Sequence, residues 1–160
     1  MRMLLMATTV IACFINATAM ATDYKVGSLE IGSPRSRATP KGSQTAIGYM
    51  TIKNNGTTPD RLIGGSVDVA DHFELHVTTI ENGIARMREL SDIEIKPGQV
   101  VEFKPGGSHV MFVNLKHPLS KGEHINGTLV FERAGKVQIE YSVEGIGDQM
   151  SPSDMKQMQH

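Results

Sequence analysis

The sequence contains almost no cysteine. Cys13 is the only one among 160 residues, and it lies in an apolar N-terminal segment. The chain after that segment can therefore form neither a disulfide nor a metal site with thiolate ligands. A blue-copper electron-transfer centre needs a Cys ligand, so that class of protein is excluded. Exported compartments are oxidising, and a site without a thiol suits them because it is less open to oxidation.

Strong net charge and long apolar runs are also missing. The chain has 16 Lys and Arg residues and 17 Asp and Glu residues, so its charge is nearly balanced. It has no Trp, and no basic patch is interleaved with aromatic residues. These features exclude a nucleic-acid-binding surface of the usual kind. The apolar run at residues 4–15 is too short to span a bilayer, and no later run approaches that length, so we expect no membrane insertion of the mature chain.

Several enzyme signatures are absent as well. The chain has no His-Glu-x-x-His and no Gly-x-Ser-x-Gly sequence. A copper oxidase of the polysaccharide-cleaving kind needs an N-terminal His after export. Cleavage after Ala21, at the end of the signal sequence described below, would instead leave Thr22 as the first residue. We therefore expect a binding protein and not an enzyme.

The N-terminus has the order of a secretory signal. Arg2 precedes the apolar run, and Ala19-Met20-Ala21 fits the small-x-small cleavage pattern. These features predict a signal peptide over residues 1–21. One alternative is an earlier cut after Ala19. The other is a lipoprotein signal, in which Cys13 of Val10-Ile11-Ala12-Cys13 is lipidated.

Short alternating or apolar runs predict a nearly all-β mature chain without helices. The predicted strands are 25–31, 47–53, 61–67, 73–79, 84–90, 100–103, 110–115, 128–132 and 137–143. Turn residues separate them at intervals of roughly 8–12 residues, which is typical of a sandwich or small barrel. We expect one domain over residues 22–146, followed by a disordered polar tail over residues 147–160.

One hairpin places a histidine near a methionine. Asn82-Gly83 is a strong two-residue hairpin signal. Counting outward from it pairs Thr78 with Met87 and places His76 diagonal to Met87 on the same face, at roughly 7–8 Å between backbones. In this register Glu89 faces His76 and is a candidate acceptor for its ring.

A second pair of candidate ligands lies on a later strand. His109 and Met111 are two residues apart, so they point to the same face of a strand. Two imidazoles and two thioethers form a soft, neutral set that suits Cu(I) better than zinc, magnesium or calcium. A plain interaction sandwich without a metal is the alternative, because a strand Met is more often a core residue.

The pattern His76-x10-Met87-x21-His109-x-Met111 resembles the signature of the periplasmic copper chaperone family called PCuAC. Four further segments support the resemblance: Ala46-Ile47-Gly48-Tyr49-Met50-Thr51-Ile52-Lys53-Asn54, Asp60-Arg61-Leu62-Ile63-Gly64-Gly65, Lys104-Pro105-Gly106-Gly107-Ser108-His109-Val110-Met111 and Leu129-Val130-Phe131-Glu132. One departure is that Ser33-Pro34-Arg35-Ser36-Arg37 stands where family members often carry a Trp.

The resemblance implies a cupredoxin-like Greek-key β-barrel or sandwich that carries Cu(I) in the bacterial periplasm. It also implies delivery to the copper-site subunit of cytochrome c oxidase, alongside Sco-type proteins, by a chain that we expect to be monomeric. A copper storage or sequestering protein for resistance is the alternative function. The predicted tail holds four further candidate ligands for an auxiliary site that would bind a second copper as Cu(II): Met150, Met155, Met158 and His160.

Overall fold

The structure is a computed structural model that describes residues 23–146. The predicted signal peptide with Cys13, and the predicted tail with Met150, Met155, Met158 and His160, lie outside the described residues. Within residues 23–146 there is no helix with the length and hydropathy needed to span a membrane.

The described residues form eleven β-strands. They are β1 (Tyr24–Val26), β2 (Leu29–Arg37), β3 (Thr45–Asn54), β4 (Asp60–Val67), β5 (Ala70–Glu81), β6 (Ile84–Leu90), β7 (Ile93–Ile95), β8 (Val100–Phe103), β9 (Ser108–Leu115), β10 (His124–Phe131) and β11 (Gly135–Glu144). The all-β prediction is therefore confirmed.

Two details of the strand prediction are wrong. The predicted strand 25–31 is two strands, because Gly27 takes a φ of 55° and turns the chain between β1 and β2, which then pair with each other. Strand β7 was not predicted, since its three residues are too few to show alternation. It is held by pairing with β4, where Asp60 lies opposite Ile95.

The strands form one mixed sheet in the order β6-β5-β9-β8-β3-β2-β11-β10-β4-β7, with an additional pairing of β9 with β3. Most neighbours are antiparallel, but β11 with β2 and β8 with β9 are parallel. Strand β9 therefore lies between β5 and β3, although a long stretch of sequence separates it from both. This arrangement is a cupredoxin-like β fold, as predicted.

The core lies on the inner side of the curved sheet. Phe112 of β9 is fully buried there, and its ring meets Tyr141 edge-on at 5.3 Å and Phe73 at 6.1 Å. A Cβ added to Gly65 of β4 would come within 3.0 Å of the Phe73 ring, so β4 packs closely against β5. The apolar residues of β5 and β9 point into this core, which leaves their alternate residues on the outer face.

Candidate metal centre

The four predicted ligands lie together on the outer face of β6, β5 and β9. In the β5–β6 hairpin Thr78 lies opposite Met87, so the register counted from Asn82-Gly83 is confirmed. Between β5 and β9, His76 lies directly opposite His109. Direct cross-strand partners point to the same face.

Alternation along the strands separates the site from the core. Leu75 and Val110 are buried core residues at 3% and 0% exposure, and each neighbours a candidate histidine. Because successive residues point to opposite faces, His76 and His109 are directed away from that core. Met111 follows His109 on the same face, as predicted, and lies opposite Ile47 of β3.

His109 is held by the backbone. Its Nδ1 is 3.1 Å from the Gly107 carbonyl oxygen, and that oxygen also accepts a hydrogen bond from the Thr78 N–H at 3.1 Å. With Nδ1–H donating to Gly107, the lone pair of the ring lies on Nε2. The Sδ of Met87 is 3.2 Å from this Nε2. Met87 thus reaches across β5 to His109, a contact that the diagonal placement near His76 did not predict.

His76 is held by a carboxylate. Its Nε2 is 2.8 Å from Oε2 of Glu74, which precedes it by two residues on the same face of β5. The prediction that Glu89 accepts this hydrogen bond is wrong. Glu89 does lie opposite His76 in the register, but Glu74 reaches the ring, because i and i+2 side chains on one strand face are neighbours.

The other nitrogen of His76 has no partner. Nδ1 is the only buried side-chain nitrogen or oxygen within residues 23–146 that lacks a hydrogen-bond partner. A buried polar atom without a partner is costly, and such atoms often mark a bound ion or a functional role. With Nε2–H donated to Glu74, Nδ1 carries a lone pair that is free to bind a metal ion.

The two imidazoles are buried, whereas one thioether is open to solvent. His76 and His109 are 9% and 4% exposed, and their ring centroids lie 5.7 Å apart with 29° between the planes. Met87 is 52% exposed, and Met111 is partly buried. The buried histidines thus form the floor of the cluster, and Met87 lies on its solvent side.

This donor set fits a soft monovalent cation. Among residues 23–146 no three His, Cys, Asp or Glu side chains gather as a metal-binding group, so the cluster depends on its thioethers. Thioether sulfur selects Cu(I), and imidazole also suits copper. The unpartnered Nδ1 of His76 and the Nε2 of His109 would supply nitrogen ligands, and Met87 and Met111 would supply sulfur ligands.

The phenol of Tyr49, two residues after the Ile47 that lies opposite Met111, does not add an anionic ligand. Tyr49 of β3 is 8% exposed and lies opposite Arg35 of β2. Burial raises the pKa of the Tyr49 hydroxyl, an effect partly offset by Arg37 and Arg35. Tyr49 is therefore a neutral phenol at physiological pH.

The remaining His and Met residues of the described chain lie elsewhere. His72, His117 and His124 are exposed, and His124 Nδ1 lies 2.8 Å from Glu140 Oε1. Met50 is 1% exposed and belongs to the core.

Solved structures of PCuAC domains share the fold of this chain. The copper-bound PCuAC domain from PmoF2 is 33% identical, with a TM-score of 0.68 over 78% of this chain and 98% of that domain. The Cu(I) form of DR1885 from Deinococcus radiodurans is 27% identical, with a TM-score of 0.60 over 80% of this chain and 83% of that chain. The fold is that of the PCuAC copper-binding domains.

The chain belongs to the LpqE-like family. The family model, described as "Putative lipoprotein LpqE-like", matches residues 29–143. A relative from Leifsonia xyli subsp. xyli (strain CTCB07), "Putative lipoprotein Lxx21020", is 34% identical over 136 residues, which are 80% of this chain and 82% of the relative.

Proposed function

We propose that this protein is a periplasmic copper chaperone that binds one Cu(I) through His76, Met87, His109 and Met111. The observation that carries the proposal is the unpartnered, buried Nδ1 of His76 opposite His109, whose Nε2 contacts the Met87 sulfur at 3.2 Å. The copper-bound and Cu(I)-bound structures named above support copper as the cargo. The protein binds and transfers the ion and catalyses no reaction.

The exposure of the ligands favours transfer over permanent storage. Met87 is 52% exposed on an edge strand, whereas both histidines are nearly buried. A recipient ligand would replace Met87 first and the histidines last, so the ion passes from one protein to the other without becoming free. Cu(I) suits such exchange because the soft sulfur atoms of neutral thioethers bind it, and no anionic ligand is needed.

The resemblance to PCuAC proteins supports the copper-site subunit of cytochrome c oxidase as recipient, with a Sco-type protein as co-partner and this chain acting as a monomer. Storage or sequestration for copper resistance is the alternative, and it predicts tight binding without transfer. A transfer assay separates the two. The Cu(I)-loaded protein would be mixed anaerobically with a purified oxidase copper-site fragment, the two proteins would be separated, and the copper content of each would be measured.

The names of the relatives support a location in the cell envelope. Both the family model and the Leifsonia protein are described as lipoproteins. We propose export to the periplasm through residues 1–21, with lipidation of Cys13 as the alternative way of processing. Mass spectrometry of the mature protein distinguishes them, since cleavage after Ala21 leaves Thr22 as the first residue.

The predicted tail would form an auxiliary copper site with the side chains of Met150, Met155, Met158 and His160. The thioethers suit Cu(I), and the imidazole of His160 suits Cu(II). A chain ending at Gly147 tests this proposal separately from the core site, because it retains every residue of the β fold.

The primary test is an anaerobic Cu(I) titration of residues 22–160 against a competing chromophoric ligand. We expect one tightly bound Cu(I), retained in the chain ending at Gly147 and lost in the His76→Ala/His109→Ala variant. Binding that survives the double variant but disappears with the tail would transfer the function to residues 150–160. No tight binding in any variant would overturn the proposal.

A further inference from the structure

We propose that Glu74 is a positioning residue for copper binding, which fixes the tautomer of His76 and places a negative charge beside the bound ion. The inference rests on the proposed function, and the contact that carries it is the 2.8 Å approach of Glu74 Oε2 to His76 Nε2. Glu74 would act on the bound copper through His76 and is not itself one of the four ligands.

The two histidines are held in different ways. The Nδ1–H of His109 donates to a backbone carbonyl, that of Gly107, which no side-chain substitution removes. His76 depends on a side chain, because its Nε2 meets Glu74 and its Nδ1 meets no partner. Loss of Glu74 would therefore leave a buried imidazole with neither nitrogen held.

The position of Glu74 in the sheet makes the contact specific. Glu74 lies two residues before His76 on β5 and directly opposite Met111 on β9. It thus borders two of the four candidate ligands on the same face. Its side chain is 31% exposed, and that of His76 is 11% exposed, so the pair is only partly screened by water.

A carboxylate behind a metal-binding imidazole has defined effects. It holds the proton on the nitrogen that it contacts, directs the other lone pair at the metal and makes the ring a stronger donor. Removing such a partner typically lowers metal affinity by about 10- to 100-fold. Since all four proposed ligands are neutral, the carboxylate of Glu74 also offsets the charge of the ion, and more so for Cu(II) than for Cu(I).

The chain provides a matched control on the other side of His76. Glu89 of β6 is the cross-strand partner of His76, yet the hydrogen bond at the ring is made by Glu74. Glu74→Gln and Glu89→Gln each remove one negative charge from a neighbour of the same histidine. They differ in the contact with Nε2, so a comparison of the two isolates that contact.

The test has three readouts on the full mature chain. In the copper-free protein, nitrogen NMR should show His76 as a single tautomer with the proton on Nε2. This preference should be lost in Glu74→Gln and kept in Glu89→Gln. Cu(I) affinity should fall by about 10- to 100-fold in Glu74→Gln and by less than about threefold in Glu89→Gln. The reduction potential of bound copper should rise more in Glu74→Gln than in Glu89→Gln, because only Glu74 contacts the ring of His76.

The results that overturn the inference differ from those that overturn the proposed function. Equal effects of the two Gln variants on affinity and potential, or an unchanged tautomer in Glu74→Gln, would refute positioning by Glu74. Glu74→Gln could also lower Cu(I) affinity as much in the His76→Ala background as in the unsubstituted chain. That result would refute positioning by Glu74 as well, since the effect would not pass through His76. Absence of Cu(I) binding in the unsubstituted chain would instead refute the copper proposal, and the tautomer measurement would still decide whether Glu74 holds His76.

Discussion

His76 of β5 and His109 of β9 are direct cross-strand partners, and their ring centroids lie 5.7 Å apart. This pairing joins two distant parts of the sequence and creates the floor of the candidate copper site. The hairpin partner β6 then adds Met87 from the other side of β5, and Met111 follows His109 along β9. Three adjacent strands thus supply the four side chains.

Copper should stabilise the fold, because it gives the buried Nδ1 of His76 a partner. We expect Cu(I) to raise the melting temperature under anaerobic conditions, with a gain of about 2.7 kcal/mol when free copper is held at about 100 times Kd. The measurement is thermal unfolding by circular dichroism in a Cu(I)-buffered solution. His76→Ala/His109→Ala is the control and should show no copper-dependent shift. An equal shift in that variant would contradict binding at this site.

Met87 and Met50 should respond differently to the same substitution. Met87→Leu removes a candidate ligand and should weaken Cu(I) binding by at least about tenfold, or about 1.4 kcal/mol. Met50→Leu alters a core residue at 1% exposure, so it should cost less than about 1.5 kcal/mol of stability and leave Cu(I) affinity unchanged. Competition titration and urea unfolding measure the two effects. Equal copper affinities of the two variants would argue against Met87 as a ligand.

Gly48 should be intolerant of a side chain, because β3 passes close to β9 beneath the site. A Cβ at Gly48 would lie 2.6 Å from Val110 Cγ2 and 2.8 Å from Phe112 Cζ. We expect Gly48→Ala to cost about 1–3 kcal/mol of stability and to weaken copper binding, since Val110 stands between His109 and Met111.

Two controls separate a local shift of β9 from general destabilisation. Adding Val110→Ala to Gly48→Ala removes the closest clash, so the double variant should lose less stability than the sum of the single losses. Ile95→Val, in the buried strand β7, should cost about 0.5–1.5 kcal/mol without changing copper affinity. A strictly additive double variant would show that the clash is absent.

Tyr141 should make the fold sensitive to alkali. Complete burial raises the pKa of its hydroxyl far above the ordinary value of 10.0. The folded state therefore keeps this proton while the unfolded state releases it, so the stabilising effect is complete below pH 10 and is lost as the pH rises above it. Tyr141→Phe should reduce this loss, and at neutral pH it should change stability little, because the hydroxyl donates only to the Met50 sulfur at 3.9 Å.

Urea unfolding at neutral pH and at about pH 11 measures how much of the free energy of unfolding each protein loses in alkali. Tyr24→Phe, on the half-buried strand β1, is the matched control. Tyrosinate absorbance from Tyr141 in the folded protein, before unfolding begins, would contradict the prediction.

Local pattern was enough to predict the hairpin and the face that His109 shares with Met111. Asn82-Gly83 defined the register of Met87, and strict alternation placed His109 and Met111 together, since both depend only on neighbours in sequence. The pairing of His76 with His109 was beyond such reasoning, because it depends on which distant strand lies beside β5. The same limit explains why Glu74 was missed: counting across the hairpin pointed to Glu89, whereas the neighbour two residues back on the same strand made the contact.

The most direct test of the central claim is X-ray absorption at the copper edge of the Cu(I)-loaded full mature chain. We predict sulfur and nitrogen scatterers in similar number, with the sulfur contribution lost in Met87→Leu/Met111→Leu and retained in Met150→Leu/Met155→Leu/Met158→Leu. Sulfur scattering that survives in the first variant and disappears in the second would contradict a copper site built by β5, β6 and β9.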